Sequence, residues 1–179
     1  MADQIKTSRI STDQKEFDET EKKAREKLEK LMSINGTQTA TSFHKRLGKI
    51  MWDYCGMVRN EEGLKKAAEL VKELKHEFWT DLKVPGSWKQ LNQELEKAGR
   101  VADFFDLSNL MITDALNRKE SCGAHYREES QTPDGEAQRI DEKYSYVAAW
   151  EFMGEDQPHK LHKEELKFKE VEMKVRSYK

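Results

Sequence analysis

The stretch SWKQLNQELEKAGRVADFFDLSNLMITDALNR, residues 87–118, carries the longest helical pattern in the chain. Its apolar residues recur at intervals of three and four, and they define one face: Trp88, Leu91, Leu95, Ala98, Ala102 and Phe105. Ser87 is a suitable N-cap for this helix. A helix so rich in large apolar residues is predicted to lie at the centre of the fold.

Three shorter helical patterns precede this stretch, over residues 12–33, 41–55 and 61–82. Asn60 is a suitable N-cap for the third of them. Asn35-Gly36 is predicted to end the first, and Val84-Pro85-Gly86 to end the third. Amphipathic helices joined by short turns favour an antiparallel up-and-down bundle of three to four helices, similar to a spectrin repeat.

The pattern changes after Glu120, and residues 131–142 are polar with one Pro and one Gly, which predicts an exposed loop. Residues 144–152 are rich in aromatic and β-branched side chains and predict a strand, followed by a turn over residues 154–159. Residues 166–175 alternate apolar and polar side chains with one phase shift, which predicts a second strand with a bulge. The fold class is therefore mainly α with a small C-terminal antiparallel β-ribbon. Because two strands alone are marginally stable, the ribbon should pack on the bundle.

These patterns divide the chain into a linker arm over residues 1–11, a helical bundle over residues 12–130 and a β-containing extension over residues 131–179. The 32 Lys and Arg nearly balance the 34 Asp and Glu, so nucleic acid is not an expected partner. No apolar stretch is long enough for direct membrane insertion. The sequence has no glycine-rich nucleotide-binding loop, so no cofactor is expected in this chain. His159 and His162 have no third metal ligand nearby in the sequence, so no metal is expected either.

The decapeptide RKESCGAHYR, residues 118–127, combines a thiol, an imidazole, a carboxylate and three cations. One hypothesis makes Cys122 and His125 a nucleophilic pair. The simpler interpretation is a helix exit in which Gly123 turns the chain and polar side chains cap the helix. The residues alone favour the second interpretation, and they leave the function open.

The same decapeptide closely resembles the R-x-E-S-R-G-A-H-x-R signature of succinate dehydrogenase and fumarate reductase flavoprotein subunits. Two further blocks resemble the family in the same order: LGKIMWDYCGMVRNEEGL at residues 47–64 and DLSNL at residues 106–110. The resemblance extends from residue 11 to residue 179, and its style is that of Bacteroides-type enzymes. Cys122 departs from the family pattern, which has Arg there. L-Aspartate oxidases have a similar signature, usually with Leu where Ala124 stands.

The resemblance implies the C-terminal domain of a longer flavoprotein that interconverts succinate and fumarate at FAD. The implied partners are the FAD-binding and capping domains of that protein, an iron–sulfur subunit and a membrane quinone-binding subunit. The implied location is cytoplasmic, with the complex peripheral on the cytoplasmic face of a bacterial inner membrane. The family's catalytic and substrate-binding groups belong to the other two domains, so no catalytic, cofactor-binding or metal-binding residue is expected in this chain.

The signature residues are accordingly predicted to be structural and to lie near the contact with the FAD-binding domain: Arg118, Glu120, Ser121, Cys122, Gly123, His125 and Arg127. Three alternatives stay open. They are a helical protein-interaction module with no redox role, the C-terminal domain of an L-aspartate oxidase, and an autonomous thiol enzyme that uses Cys122 and His125.

Overall fold

The computed structural model describes residues 11–154, 157–172 and 174. Its helices are α1 (Lys15–Ser33), α2 (Ala40–Cys55), α3 (Glu61–Asp81), α4 (Gln93–Asn117) and the short α5 (Asp141–Tyr144). Strand β1 (Val58–Arg59) pairs in parallel with β2 (Tyr126–Arg127), and β3 (Tyr146–Glu151) pairs antiparallel with β4 (Lys160–Glu165). The predicted fold class, a helical bundle with a small antiparallel ribbon, is confirmed.

Helices α2, α3 and α4 pack on one another and form the core. Each contributes one fully buried phenylalanine: Phe43 meets Phe78 edge-on with ring centroids 5.3 Å apart, and Phe78 meets Phe105 at 5.4 Å. Burying such a side chain contributes about 1.5–3 kcal/mol. The three rings therefore hold the three helices at a common centre.

Helix α1 packs on α4 and contributes less to the core. Leu31 is fully buried, as predicted. The helical spacing of Phe17, Leu28 and Leu31 in the sequence predicts one buried face, but Phe17 and Leu28 are 47% and 39% exposed, so this prediction is wrong toward the start of the helix. The helix begins at Lys15 rather than residue 12, and no side chain caps it.

The start of α4 differs most from the prediction. Asn92, not Ser87, is the N-cap, because its Oδ1 accepts hydrogen bonds from the backbone N–H groups of Glu94 and Leu95, both at 3.1 Å. The amide of Asn92 also donates to the carbonyls of Pro85 and Ser87, which holds the preceding residues in a turn. Trp88 and Leu91 therefore lie outside the helix, and Leu91 is 93% exposed.

Gly36 has a role that differs from the predicted helix stop. Helix α1 ends at Ser33 with Ile34 as C-cap, and Gly36 then lies against the C-terminal end of α3. A Cβ at this position would lie 2.0 Å from the carbonyl carbon of Asp81. Gly36 N–H donates to the Leu82 carbonyl at 3.0 Å. Only a residue without a side chain allows this close approach of two backbones.

The ribbon uses a different second strand from the predicted one. Strand β3 lies within the predicted range, and the turn at Gly154, whose φ is +120°, is as expected. Strand β4 pairs at Ala149 with His162, whereas residues 166–172 and 174 form no strand. In a hairpin the length of the turn decides which residues of the two strands pair, so the pairing of β3 does not extend to the alternating residues 166–172 and 174. Residues 173 and 175–179, where the rest of that prediction falls, lie outside the described residues.

The ribbon is attached to α4 by side-chain hydrogen bonds. Trp150 Nε1 donates to Asp114 at 2.7 Å, and Asn117 donates to the Tyr146 hydroxyl at 3.3 Å. Across the described ranges, no helix has the length and apolar character needed to cross a membrane. The division of the chain at residues 11 and 130 stays a prediction, and residues 1–10 of the predicted arm lie outside the described residues.

Candidate functional site

Residues 118–127, here called the signature turn, begin where α4 ends. Arg118 is the C-cap, and its N–H donates to the Asp114 carbonyl at 3.0 Å. The chain then reverses between Cys122 and His125, whose backbone groups exchange hydrogen bonds of 2.8 and 3.1 Å. Gly123 has φ +59°, a left-handed conformation that glycine adopts without a Cβ penalty. The predicted helix exit, with Gly123 turning the chain, is observed.

Strand β2 ties the signature turn to the start of α3. Tyr126 N–H donates to the Met57 carbonyl and Glu128 N–H to the Arg59 carbonyl, both at 3.0 Å. Beside this pair, the side-chain amide of Asn60 donates to the Glu128 carboxylate. Sequence reasoning missed this parallel pair, because strands of two residues leave no periodic pattern.

Glu120 is a carboxylate with 2% of its surface exposed. Its Oε1 accepts a hydrogen bond from Arg118 Nη1 at 3.0 Å, and its Oε2 accepts one from the backbone N–H of Ile140 at 2.6 Å. A buried carboxylate is tolerated only when its oxygens are paired in this way. Glu120 therefore joins the end of α4 to the segment that precedes α5.

Arg127 and Ser121 form the second part of this buried network. Arg127 is 2% exposed, and it donates from Nη1 to the Ala115 carbonyl at 2.8 Å and from Nε to Glu129 at 3.1 Å. The Ser121 hydroxyl accepts from the backbone N–H of Arg127 at 2.8 Å. Ala115 is in the last turn of α4, so Arg127 caps a carbonyl that the helix itself leaves unpaired.

Hydrogen bonds to the signature turn and to the start of α3 stabilise the ionised carboxylate of Glu129. Burial alone would raise the pKa of Glu129, but hydrogen bonds from the Glu61 N–H and from Arg127 hold that pKa below its ordinary value. Arg118 extends the network to the ribbon, since its Nη2 donates to the carbonyls of Tyr144 and Tyr146 at 3.2 and 3.3 Å. The signature turn is thus bound to α3, α4 and the ribbon at once.

His125 is oriented by a hydrogen bond to α4. Its Nε2 lies 2.7 Å from the Arg118 carbonyl, and since a carbonyl only accepts, Nε2 carries the proton. Burial lowers the pKa of His125, and the charges of Arg59 and Arg127 act in the same direction against the opposing effect of the carbonyl. Among the described residues, no hydrogen bond joins the imidazole to the Cys122 thiol. The geometry therefore favours the structural interpretation over a nucleophilic pair.

His159 and His162 contact different side chains. His162 Nε2 lies 2.6 Å from Glu151 Oε2, and this hydrogen bond holds the pKa of Glu151 below its ordinary value. The ring of His159 lies 5.8 Å from that of Phe152. In the part of the chain that the structure describes, no three His, Cys, Asp or Glu side chains are grouped so as to hold a metal ion.

The residues do not fit a dinucleotide cofactor. Binding of FAD phosphates requires a glycine-rich loop between a strand and the N-terminus of a helix. The four glycines with positive φ, Gly86, Gly123, Gly135 and Gly154, lie in separate turns instead. That this chain contributes no cofactor-binding residue stays a prediction.

Sequence reasoning missed several of the groups that hold the signature turn in place. Arg59, Glu61, Gln138 and Ile140 were not singled out, and the last two contribute only backbone groups. A backbone donor has no sequence signal. Arg59 lies in the family-like block at residues 47–64, and that block is the one indication that the sequence offers for it.

Comparison with known proteins agrees with the signature. Residues 44–178 match the family model described as fumarate reductase flavoprotein C-term. The succinate dehydrogenase flavoprotein subunit of Bacillus subtilis is 32% identical over 111 residues, which are 62% of this chain and 19% of that protein. An L-aspartate oxidase of Nicotiana tabacum is 38% identical over 82 residues, which are 46% of this chain and 12% of that protein.

A solved E. coli quinol fumarate reductase has a similar fold, with a TM-score of 0.77 and 20% sequence identity over 94% of this chain and 28% of that chain. The chain spans less than a fifth of the length of the curated relatives it matches. The family model covers well over half of the chain, and it includes the whole signature turn. On this ground the chain belongs to the family of C-terminal domains of succinate dehydrogenase and fumarate reductase flavoproteins.

Proposed function

We propose that this chain is the structural C-terminal domain of an FAD-containing oxidoreductase that interconverts succinate and fumarate. The family match over residues 44–178 is the observation that carries the proposal. In the proposed parent protein, the FAD-binding and capping domains supply the catalytic groups. An iron–sulfur subunit and a membrane quinone-binding subunit carry the electrons, and the complex lies on the cytoplasmic face of the inner membrane.

The role proposed for this chain is to present a rigid signature turn to the FAD-binding domain. Glu120, Ser121 and Arg127 are buried and hydrogen-bonded within the chain, so they fix the turn. Gly123 and Ala124 at its tip are exposed. This arrangement supports a contact made by the tip, with the buried residues acting through the shape that they give it.

The proposed activity is tested on the parent protein. The reading frame that encodes this chain is expected to continue upstream into a glycine-rich FAD fingerprint. The flavoprotein from that frame should bind FAD and reduce fumarate with an artificial electron donor, whereas the 179-residue chain should do neither. A chain that binds flavin or converts dicarboxylates alone, or a frame without a flavin domain, would refute the proposal.

A substitution at the tip tests the contact. Ala124→Arg adds a bulky charge to an exposed residue, so it should leave the thermal midpoint of the chain unchanged and lower the FAD content of the flavoprotein. Ala137→Arg, at another exposed alanine in the neighbouring loop, is the matched control and should change neither. Full FAD content in the Ala124→Arg flavoprotein would contradict a contact at the tip.

L-Aspartate oxidation is a second candidate, favoured by the 38% identity with the tobacco enzyme. The two candidates differ in the substrate that reduces the flavin. We expect succinate to bleach the flavin absorbance of the parent flavoprotein and L-aspartate to leave it unchanged. The reverse result would replace the first candidate by the second.

A further inference from the structure

Arg59, beside the signature turn, is a cation with no counter-ion in the part of the chain that the structure describes. It is the second residue of β1, its side chain is partly buried, and its Nε is shielded from solvent with no hydrogen-bond partner. Within the described ranges, no carboxylate forms an ion pair with its guanidinium. A buried N–H group with no partner destabilises the state in which it is found. The structure therefore contains an unsatisfied donor at this position.

The other arginines of this region are paired with carboxylates: Arg118 with Glu120 at 3.0 Å, Arg127 with Glu129 at 3.1 Å and Arg139 with Asp141 at 2.5 Å. Two acids have backbones near Arg59, Glu61 two residues further along the chain and Glu128 through its N–H bond to the Arg59 carbonyl, and both have other partners. Glu61 pairs with Lys65, and Glu128 accepts a hydrogen bond from Asn60. The missing carboxylate is thus specific to Arg59.

Across the pair of β1 and β2, Arg59 lies opposite another cation. It lies in register with Arg127 in the parallel pair, and its charge acts on His125 to disfavour the imidazolium. The charge of Arg127 is neutralised by Glu129, whereas that of Arg59 is not. A carboxylate is the group that complements an unpaired guanidinium in a partly desolvated site, because it can accept two parallel hydrogen bonds.

Exposed apolar residues precede Arg59 along the chain. Met57 and Val58 precede it and are 71% and 59% exposed, and Trp52 at the end of α2 is 84% exposed. We call Trp52, Met57, Val58 and Arg59 the β1 patch. An arginine among exposed aromatic and apolar side chains has the composition of the core of a protein interface.

We propose that the β1 patch docks on the remainder of the flavoprotein chain, which contributes a carboxylate side chain to Arg59. This inference rests on the proposed function. The relatives extend over more than five times the matched length, so in the proposed parent a covalently attached partner is available. A second copy of this chain fits less well, because a two-fold interface centred on this patch would bring two unpaired arginines together.

The first experiment compares the chain with the flavoprotein. Arg59→Gln removes a charge that has no partner among the described residues, so the thermal midpoint of the chain should stay unchanged or rise. The same substitution should lower the midpoint of the flavoprotein by several degrees. Arg127→Gln, which removes an arginine paired within the chain, should lower both midpoints, and Arg46→Gln, at an exposed pair with Glu77, should change neither by more than about 2 °C. A similar loss from Arg59→Gln in both proteins would overturn the inference.

The second experiment identifies the carboxylate. In an Arg59→Lys flavoprotein, a carbodiimide should couple the introduced amine to a carboxylate in contact, forming an amide with loss of water. Mass spectrometry is expected to find the cross-link to an Asp or Glu outside residues 1–179. Arg46→Lys is the positive control, because it should couple to Glu77 within the chain.

A cross-link from Arg59→Lys only to residues of this chain, or only to a second copy of it, would overturn the inference. So would the absence of a cross-link when the Arg46→Lys control reacts. Failure of the proposed function would give a different result, namely a flavoprotein that does not act on succinate or fumarate. The measurement on the chain alone would then still decide whether Arg59 lacks a partner there.

Discussion

The centre of the bundle and the signature turn are both buried, but they are stabilised in different ways. Phe43, Phe78 and Phe105 meet through apolar contacts that tolerate small adjustments. At the signature turn, Glu120 and Arg127 are buried through hydrogen bonds, each to a particular atom. The stability of the bundle therefore depends on the volume of its buried side chains, and that of the signature turn on the pairing of its polar atoms. Substitutions that keep volume but change pairing should therefore separate the two regions.

The largest effect is expected in the bundle. Phe78→Ala should lower the free energy of unfolding by about 3–5 kcal/mol, because Phe78 is fully buried and contacts Phe43, Trp79 and Phe105. Urea denaturation followed by circular dichroism measures it. Leu91→Ala, at a 93% exposed position, is the control and should change stability by less than about 0.5 kcal/mol. A loss below about 1 kcal/mol for Phe78→Ala would mean that the three rings do not form the centre of the core.

The second largest effect is expected where a substitution breaks the hydrogen-bond pairing of the signature turn. Glu120→Gln keeps the shape but places an amide N–H₂ against either Arg118 Nη1 or the Ile140 N–H, so it should lower the free energy of unfolding by about 2 kcal/mol. Leu64→Met, a volume-conserving change at a fully buried core residue, should remove less than about 1.5 kcal/mol. Denaturation of both variants in parallel measures the difference. If Leu64→Met is the more damaging change, the distinction between the two regions fails.

A glycine-to-alanine pair should give opposite signs in the two regions. Gly123→Ala should lower the free energy of unfolding by about 1 kcal/mol, since its φ of +59° disfavours a Cβ. Gly99→Ala in α4 meets no atom within 4 Å and should raise it by about 0.5–1 kcal/mol, because alanine restricts the unfolded chain. Thermal melts of the two variants measure the signs. Equal signs would show that backbone conformation does not distinguish these positions.

The smallest effect concerns pH. Burial holds the pKa of His125 below its ordinary 6.5, so between the two pKa values the unfolded chain binds a proton that the folded chain does not. Stability should therefore fall as the pH decreases through about 6.5, and this contribution should level off below the folded pKa. Urea midpoints from about pH 7.5 to 5 measure the slope. His125→Gln should show a smaller decrease over that range, and an equal decrease would exclude His125 as its source.

The sequence predicted the start of a helix correctly where it offered a single suitable N-cap. Helix α3 begins after Asn60 as expected, because Asn60 is the one good N-cap at that point and its Oδ1 accepts from the Gly63 N–H. The start of α4 was wrong because Ser87 and Asn92 both suit an N-cap. The choice between them depends on the carbonyls of Pro85 and Ser87, which become available to Asn92 only in the folded loop.

The candidate site was located by its signature, but its bonding could not be predicted. Glu120 pairs with a backbone N–H at Ile140, and Ser121 N–H donates to the Gln138 carbonyl. Both partners lie in a polar loop without periodic pattern. The second ribbon strand was misplaced for a related reason, since most of β4 is exposed and carries no alternation that a core would impose. The inter-domain role of the signature residues stays a prediction.

The parallel pair of β1 and β2 has a consequence for biosynthesis. Strand β1 leaves the ribosome before α3 and α4, and β2 leaves it after them, so the pair closes a loop that contains both long helices. Closing so long a loop is favourable only after those helices have packed. We therefore expect the signature turn to acquire its shape during translation only after α3 and α4 have packed. A neighbouring domain that recognises this shape would reject truncated nascent chains and accept only finished ones.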